Sequence, residues 1–207
     1  MIVLGVLGAA FAAVLSAGPA NVIPPASEVI YRHEIYRDAD VTGYMLDIPP
    51  GRGTQMHRHD KDILTIFISG GRTTAVFEGF GATSDALPAG TVRYRTAGFA
   101  HSTRNDDRQP FRAVILEFDA SQGARTEGAA APQLFCTKGF CVNDATLQPG
   151  STLAGERRSL FIAVENLAVR EVSGVRRSQP AGTVWTGPNG WTNDGRKPAR
   201  VISIAFR

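Results

Sequence analysis

Between residues 40 and 120, short runs rich in Val, Ile, Thr, Phe and Tyr alternate with turn residues. The runs read ILTIFI, RTTAVFEG, TVRYR and RAVILEF, and Pro49-Pro50-Gly51, Gly70-Gly71 and Pro88-Ala89-Gly90 punctuate them. β-Branched and aromatic side chains suit a pleated, half-buried surface, while Gly and Pro supply tight reversals. Apolar residues at helical spacing are hard to find. Many short, evenly spaced strands predict an all-β sandwich or barrel.

The pattern then repeats. LPAGTVRYRTAGFAHSTRNDDRQPFRAVILEF closes the first stretch and QPAGTVWTGPNGWTNDGRKPARVISIAF closes the second. IPPGRGTQMHRHDKDILTIFI likewise has a counterpart in LQPGSTLAGERRSLFIAV. Each PAGTV is followed, eight residues after its Gly, by another Gly (Gly98 and Gly190). Residues 27–120 and 133–207 therefore read as two copies of one β unit, joined by the small, polar stretch DASQGARTEGAAAP. The expected organisation is a leader over 1–20, one unit over 21–125 and a second over 126–207.

Bulk properties narrow the classes. A chain of 207 residues, 43% hydrophobic, can bury one large core or two small ones. The net charge is +3 and the arginines are scattered, so no basic run tracks a phosphate backbone and nucleic acid is not an expected partner. The N-terminus, MIVLGVLGAAFAAVLSAGPA, carries no charged side chain before Glu28. Its apolar part is short for a membrane span, and it ends in small residues as a secretory signal peptide does, although the basic start is missing. The expectation is export to the periplasm or beyond, with no membrane association once the leader is removed. An uncleaved anchor and a buried N-terminal strand are the alternatives. Only two cysteines occur, Cys136 and Cys141 in CTKGFC, with no histidine near them in sequence. In an exported protein they read as a disulfide across a turn at Lys138-Gly139; in a reducing compartment they would be two free thiols.

Histidine changes the picture most. The chain has four, and two of them, His57 and His59, stand two apart in QMHRHDKD. Alternate strand residues share a face, so both imidazoles can reach one ion. His101, in TAGFAHSTRN, is a third candidate from another predicted strand. His33 in YRHEIY reads as a surface residue.

These residues resemble the cupin family. Its first motif, G-x5-H-x-H-x3,4-E-x6-G, is matched by Gly51, His57, His59 and Gly70. Its second, G-x5-P-x-G-x2-H-x3-N, is matched by Gly90, Gly98, His101 and Asn105, with Thr96 in place of the proline. The resemblance implies an all-β fold of two tandem jelly-roll units, with a metal held inside the first by His57, His59 and His101. The glutamate position departs from the motif. It holds Ile63, or Leu64 with the longer spacer, and the neighbouring Asp62 could serve as ligand or outer support only through a strand slip. Three-histidine sites without the glutamate occur among cupin iron dioxygenases, including those acting on thiols and diketones. Ile63, Thr65 and Phe67 share one parity and are expected to line the cavity. The second unit keeps no such set. Aligned on Gly150, the first two ligand positions hold Glu156 and Arg158, and aligned on Gly182 the third holds Asn193. Asn105 is expected to hold a turn, and Trp185 and Trp191 to be core or rim residues.

The function implied is an exported cupin that binds a divalent metal and acts on a small organic molecule, first as a metal-dependent dioxygenase. A non-catalytic module for a small ligand or metal, and a metal-dependent isomerase or lyase, stand as alternatives. For the last, Asp62, Glu78 and Glu117 are the acids to examine, and no catalytic residue is assigned. Fe(II) comes first among the ions; imidazole also accepts Zn, Ni, Mn and Cu. A homodimer is left open.

Overall fold

The computed structural model describes residues 22–128, 131–153, 158–187 and 190–207. The leader expected over residues 1–20 lies outside them. Among the described residues, the one helical turn is a 3-10 turn at Ala26–Glu28, and all other regular structure is β-strand. The first unit contains β1 (Arg32–Arg37), β2 (Val41–Ile48), β3 (His57–His59), β4 (Asp62–Phe67), β5 (Gly71–Phe77), β6 (Gly81–Leu87), β7 (Val92–Arg95), β8 (Phe99–Asn105) and β9 (Phe111–Phe118). The second contains β10 (Thr126–Glu127), β11 (Gln133–Cys136), β12 (Phe140–Leu147), β13 (Thr152–Leu153), β14 (Ser159–Ala163), β15 (Leu167–Glu171), β16 (Arg176–Gln179), β17 (Val184–Thr186), β18 (Trp191–Asn193) and β19 (Ala199–Phe206).

The repeat in the sequence is a repeat in topology. The first unit pairs its strands as β1-β2-β9-β4-β7 and β3-β8-β5-β6; the second pairs them as β10-β11-β12-β19-β14-β17 and β13-β18-β15-β16. Apart from β10, each strand has its counterpart at the same place. Each unit is a jelly roll made of two facing antiparallel sheets.

Side-chain alternation divides the labour of each large sheet. Along β4, Ile63 and Phe67 belong to the apolar interior of the first barrel, with Phe111, Ala113 and Ile115 of β9. The intervening Leu64 and Ile66, with Val114, Leu116 and Phe118, look the other way. They form one buried cluster with Phe140, Val142, Leu160, Ile162, Ile202 and Ile204 of the second unit. The rings of Phe118 and Phe140 stack across this seam at 4.6 Å. Each fully buried Leu, Ile or Phe contributes roughly 1.5–3 kcal/mol relative to exposure, so this seam, and not the linker, holds the units together.

The two PAGTV turns each rest on the opposite unit. Gly90 has φ +78°, and a Cβ there would lie 2.2 Å from the Arg200 guanidinium of the second unit. Arg200 donates to the carbonyls of Ala89 and Gly90 at 2.8 and 3.2 Å. Gly182 has φ +89°, and its Cβ would lie 2.2 Å from the Met45 methyl of the first unit. Both the left-handed backbone and the close approach require glycine. Cys136 and Cys141 face each other across the β11–β12 hairpin and form the expected disulfide, with the chain reversing at Thr137–Phe140.

Asn105 and Asn193 do the same work in the two units. The Asn105 amide donates to Ile48 O and Gln109 O and accepts from Asp107 N–H; that of Asn193 donates to Leu147 O and Lys197 O and accepts from Gly195 N–H. Both are fully buried. The expectation that Asn193 occupies the third histidine position is therefore corrected: Asn193 matches Asn105. It comes eleven residues after Gly182, whereas Asn105 comes fifteen after Gly90, so four residues are missing ahead of β18. Asn193→Ala should cost at least about 2 kcal/mol, because it orphans buried backbone groups. Urea unfolding should show the loss, while metal content of the first unit stays unchanged.

Candidate metal centre

The β3–β8 ladder sets His57 directly opposite His101, and the pleat puts His59 on the same face as His57. Their Nε2 atoms converge: His57 to His59 is 3.1 Å and His59 to His101 is 3.2 Å. His57 and His59 are buried and His101 is nearly so. Phe99 stacks on the His59 ring at 4.8 Å and Phe77 on the His101 ring at 5.4 Å, which fixes both ring planes.

Three features of this cluster suit a cation. The Nδ1 of His57 lies 2.9 Å from the Gln55 carbonyl, which only an N–H can satisfy, so its Nε2 presents a lone pair. Burial, followed by the neighbouring imidazoles and Arg32, pushes the His59 pKa down to about 2; burial, then His57 and Arg95, pushes that of His101 to about 3. The rings are thus neutral ligands near pH 7. Finally, an ion 2.0–2.1 Å from each nitrogen separates its ligand atoms by about 2.9 Å in octahedral and about 3.4 Å in tetrahedral geometry. The observed spacings fall between. Among the described residues this is the one group of three or more His, Cys, Asp or Glu side chains with such convergence.

The imidazoles open onto a cavity of about 90 Å³. Ile63, Thr65 and Phe67 all line it, as strand parity predicts, with Phe111, Ala113 and Ile115 from β9. Ile63, at the glutamate position, is 4% exposed, so an apolar wall stands where that carboxylate would be.

Asp62 does not join the site, since the strand slip that alone could bring it inward is absent. The β4–β9 ladder runs without a shift. Asp62 faces the other way and accepts hydrogen bonds from Ala97 N–H, Gln122 N–H, Tyr94 O–H and Ser121 O–H. These bonds hold its carboxyl below the usual carboxylate range although burial opposes them.

The inward carboxylate comes from elsewhere. Glu117, of the same parity as Ala113 and Ile115, stands opposite Ile63 and is 7% exposed. Its Oε1 accepts from Arg32 at 2.6 Å and lies 3.9 Å from His59 Nδ1, which has no hydrogen-bond partner in this structure. Arg32 also donates to Ala26 O and stacks over Tyr44. A single acid inside the apolar run RAVILEF, on the inner parity, was a legible signal for Glu117. Arg32 lies in a strand outside both motifs, and nothing in the sequence marks it.

The remaining candidates fall outside the centre. His33 is exposed on β1. Trp185 and Trp191 pack at 6.0 Å in the core of the second barrel. Arg158 ion-pairs with Asp38 and Asp40 of the first unit, on the outside of the second barrel. Glu156 lies outside the described residues.

Asp62→Asn should leave metal affinity within tenfold of the wild type, yet lower stability by about 1–3 kcal/mol, since one side-chain N–H₂ replaces an acceptor facing four donors. Paired metal titration and urea unfolding would check it; a loss of affinity beyond tenfold would place Asp62 in the site after all.

Comparison with protein-family models finds no match, and neither does comparison with curated proteins. Solved structures do match. AerE from Microcystis aeruginosa superposes with a TM-score of 0.61 at 13% identity, over 85% of this chain and 97% of that one. Salicylate 1,2-dioxygenase from Pseudoaminobacter salicylatoxidans, solved as adducts with gentisate, gives 0.60 at 11% identity, over 89% and 75%. A cupin 2 conserved barrel domain protein from Leptotrichia buccalis gives 0.57 at 9% identity, over 90% and 92%. At such identities the likeness is one of fold. With two tandem jelly rolls and three converging histidines in the first, this chain has the fold of the cupin superfamily.

Proposed function

We propose that this is a metal-binding cupin that oxygenates a small organic molecule, with His57, His59 and His101 holding a divalent cation, Fe(II) before Zn, Ni, Mn or Cu. The observation that carries the reading is the convergence of three neutral Nε2 atoms on a small, apolar-walled cavity with no carboxylate among them. When bound, the ion would supply the Lewis-acidic and redox chemistry of oxygenation. The chain's own residues orient and enclose. Gln55 O sets the His57 tautomer, Phe99 and Phe77 fix the other two rings, and Ile63, Phe67 and Phe111 keep water from the reacting face. A structurally similar protein that is a salicylate dioxygenase supports the direction of the reading.

An isomerase or lyase needs a side chain free to carry a proton. Asp62 is spent on four donors, Glu78 pairs with Arg58 outside the barrel, and Glu117 pairs with Arg32. That distribution favours oxygenation over proton shuttling.

Export to an oxidising compartment is part of the same proposal. The uncharged N-terminal stretch and the Cys136–Cys141 bridge support it. Intact-mass measurement of protein recovered from the periplasm should find residues 1 to about 20 absent, and both cysteines should become alkylated only after reduction. A full-length mass with two reactive thiols would overturn this.

His57→Ala, His59→Ala and His101→Ala should each strip most of the metal while the chain stays folded. Elemental analysis with circular dichroism reads this directly. In the wild type, oxygen uptake should appear with at least one member of a panel of small diketones, thiols and phenols. No uptake on any member, with a small molecule retained in native mass spectrometry, would convert the assignment to a binding protein.

A further inference from the structure

Three arginines line the cavity: Arg32, Arg93 and Arg95. Two of them are neutralised. Arg32 bonds Glu117 at 2.6 Å and Arg93 bonds Asp85 at 2.9 Å. Among the described residues, no carboxylate forms an ion pair with Arg95. Its guanidinium instead lies 4.5 Å from the Phe77 ring centre and 5.7 Å from that of Phe99. Those are the rings that stack on His101 and His59, so one aromatic ring separates this cation from the imidazole cluster. Burial first, and Arg93 second, weigh against its charge, while the Asp85 carboxylate, already bonded to Arg93, favours it more weakly. A planar cation pinned on aromatic faces keeps its N–H fork free at the cavity mouth, and that fork matches a carboxylate in shape and charge.

We propose that the cavity takes a small organic monocarboxylate, its carboxylate held by Arg95 and its apolar body lying against Ile63, Phe67 and Phe111 toward the three imidazoles. This names the substrate class for the metal-centre reading and rests on it. One uncompensated cation balances one negative charge. A phosphate dianion would leave a charge unpaired against an apolar wall, which is costly.

Benzoate and its neutral isostere benzamide are suitable probes, titrated calorimetrically into metal-loaded and chelator-stripped protein. Benzoate should bind at least tenfold more tightly than benzamide in both forms. Arg95→Gln should weaken benzoate at least tenfold and leave benzamide unchanged, which also reports an intact cavity; Arg95→Lys should recover part of the loss. Four results would overturn the assignment: no benzoate binding to the wild type, undiminished affinity in Arg95→Gln, disappearance of the benzoate preference on metal removal, or displacement by inorganic phosphate at equal affinity. Metal content measured on the same samples keeps the two readings apart. A chain that takes up no metal but keeps an Arg95-dependent benzoate preference loses the metal reading alone; normal metal uptake without that dependence loses the carboxylate alone.

Discussion

The structure depends on the pleat of two strands, β4 and β9. Their residues alternate between the first barrel's interior and an outer face whose apolar members pack on the second unit, and a shift of one position would exchange the two sets. The inner set builds the cavity with Ile63, Thr65, Phe67, Ala113 and Ile115. The outer set, Leu64, Ile66, Val114, Leu116 and Phe118, is buried against the other barrel. Register is thus locked from both sides. The same lock keeps Asp62 out of the site and brings Glu117 in.

The second barrel shows how a site disappears while its frame persists. Sheet order, the PAGTV turn and the buried asparagine are all retained. The segments before β14 and β18, which in the first unit carry the histidine strands, are shorter, and Phe161, Trp185 and Trp191 belong to the buried core of this unit.

Much of this was legible in the sequence, because strand parity and turn residues are local. The two units, the cavity parity of Ile63, Thr65 and Phe67, and the shared face of His57 and His59 follow from spacing; the disulfide was read from the cysteine count, and the joining of His101 to the pair is what the resemblance to cupins implies. Asn193 was misplaced because fixed spacing cannot register a four-residue deletion; only its hydrogen bonds reveal its equivalence to Asn105. Arg32 and Arg95 were missed for a different reason. Their roles depend on which acids they meet, and those partners, or their absence, are long-range facts.

The reciprocal seating of the Gly90 and Gly182 turns bears on how the chain is assembled. Each unit offers the other the same face, as two subunits related by a two-fold axis do. The chain is in effect a dimer with its halves covalently tethered. Tethering replaces a concentration-dependent association with an intramolecular one, so the seam persists at any dilution. It also frees one half to diverge, since only the shared face must be kept. A second copy of the whole chain would have to associate through another surface, because this one is already occupied from within.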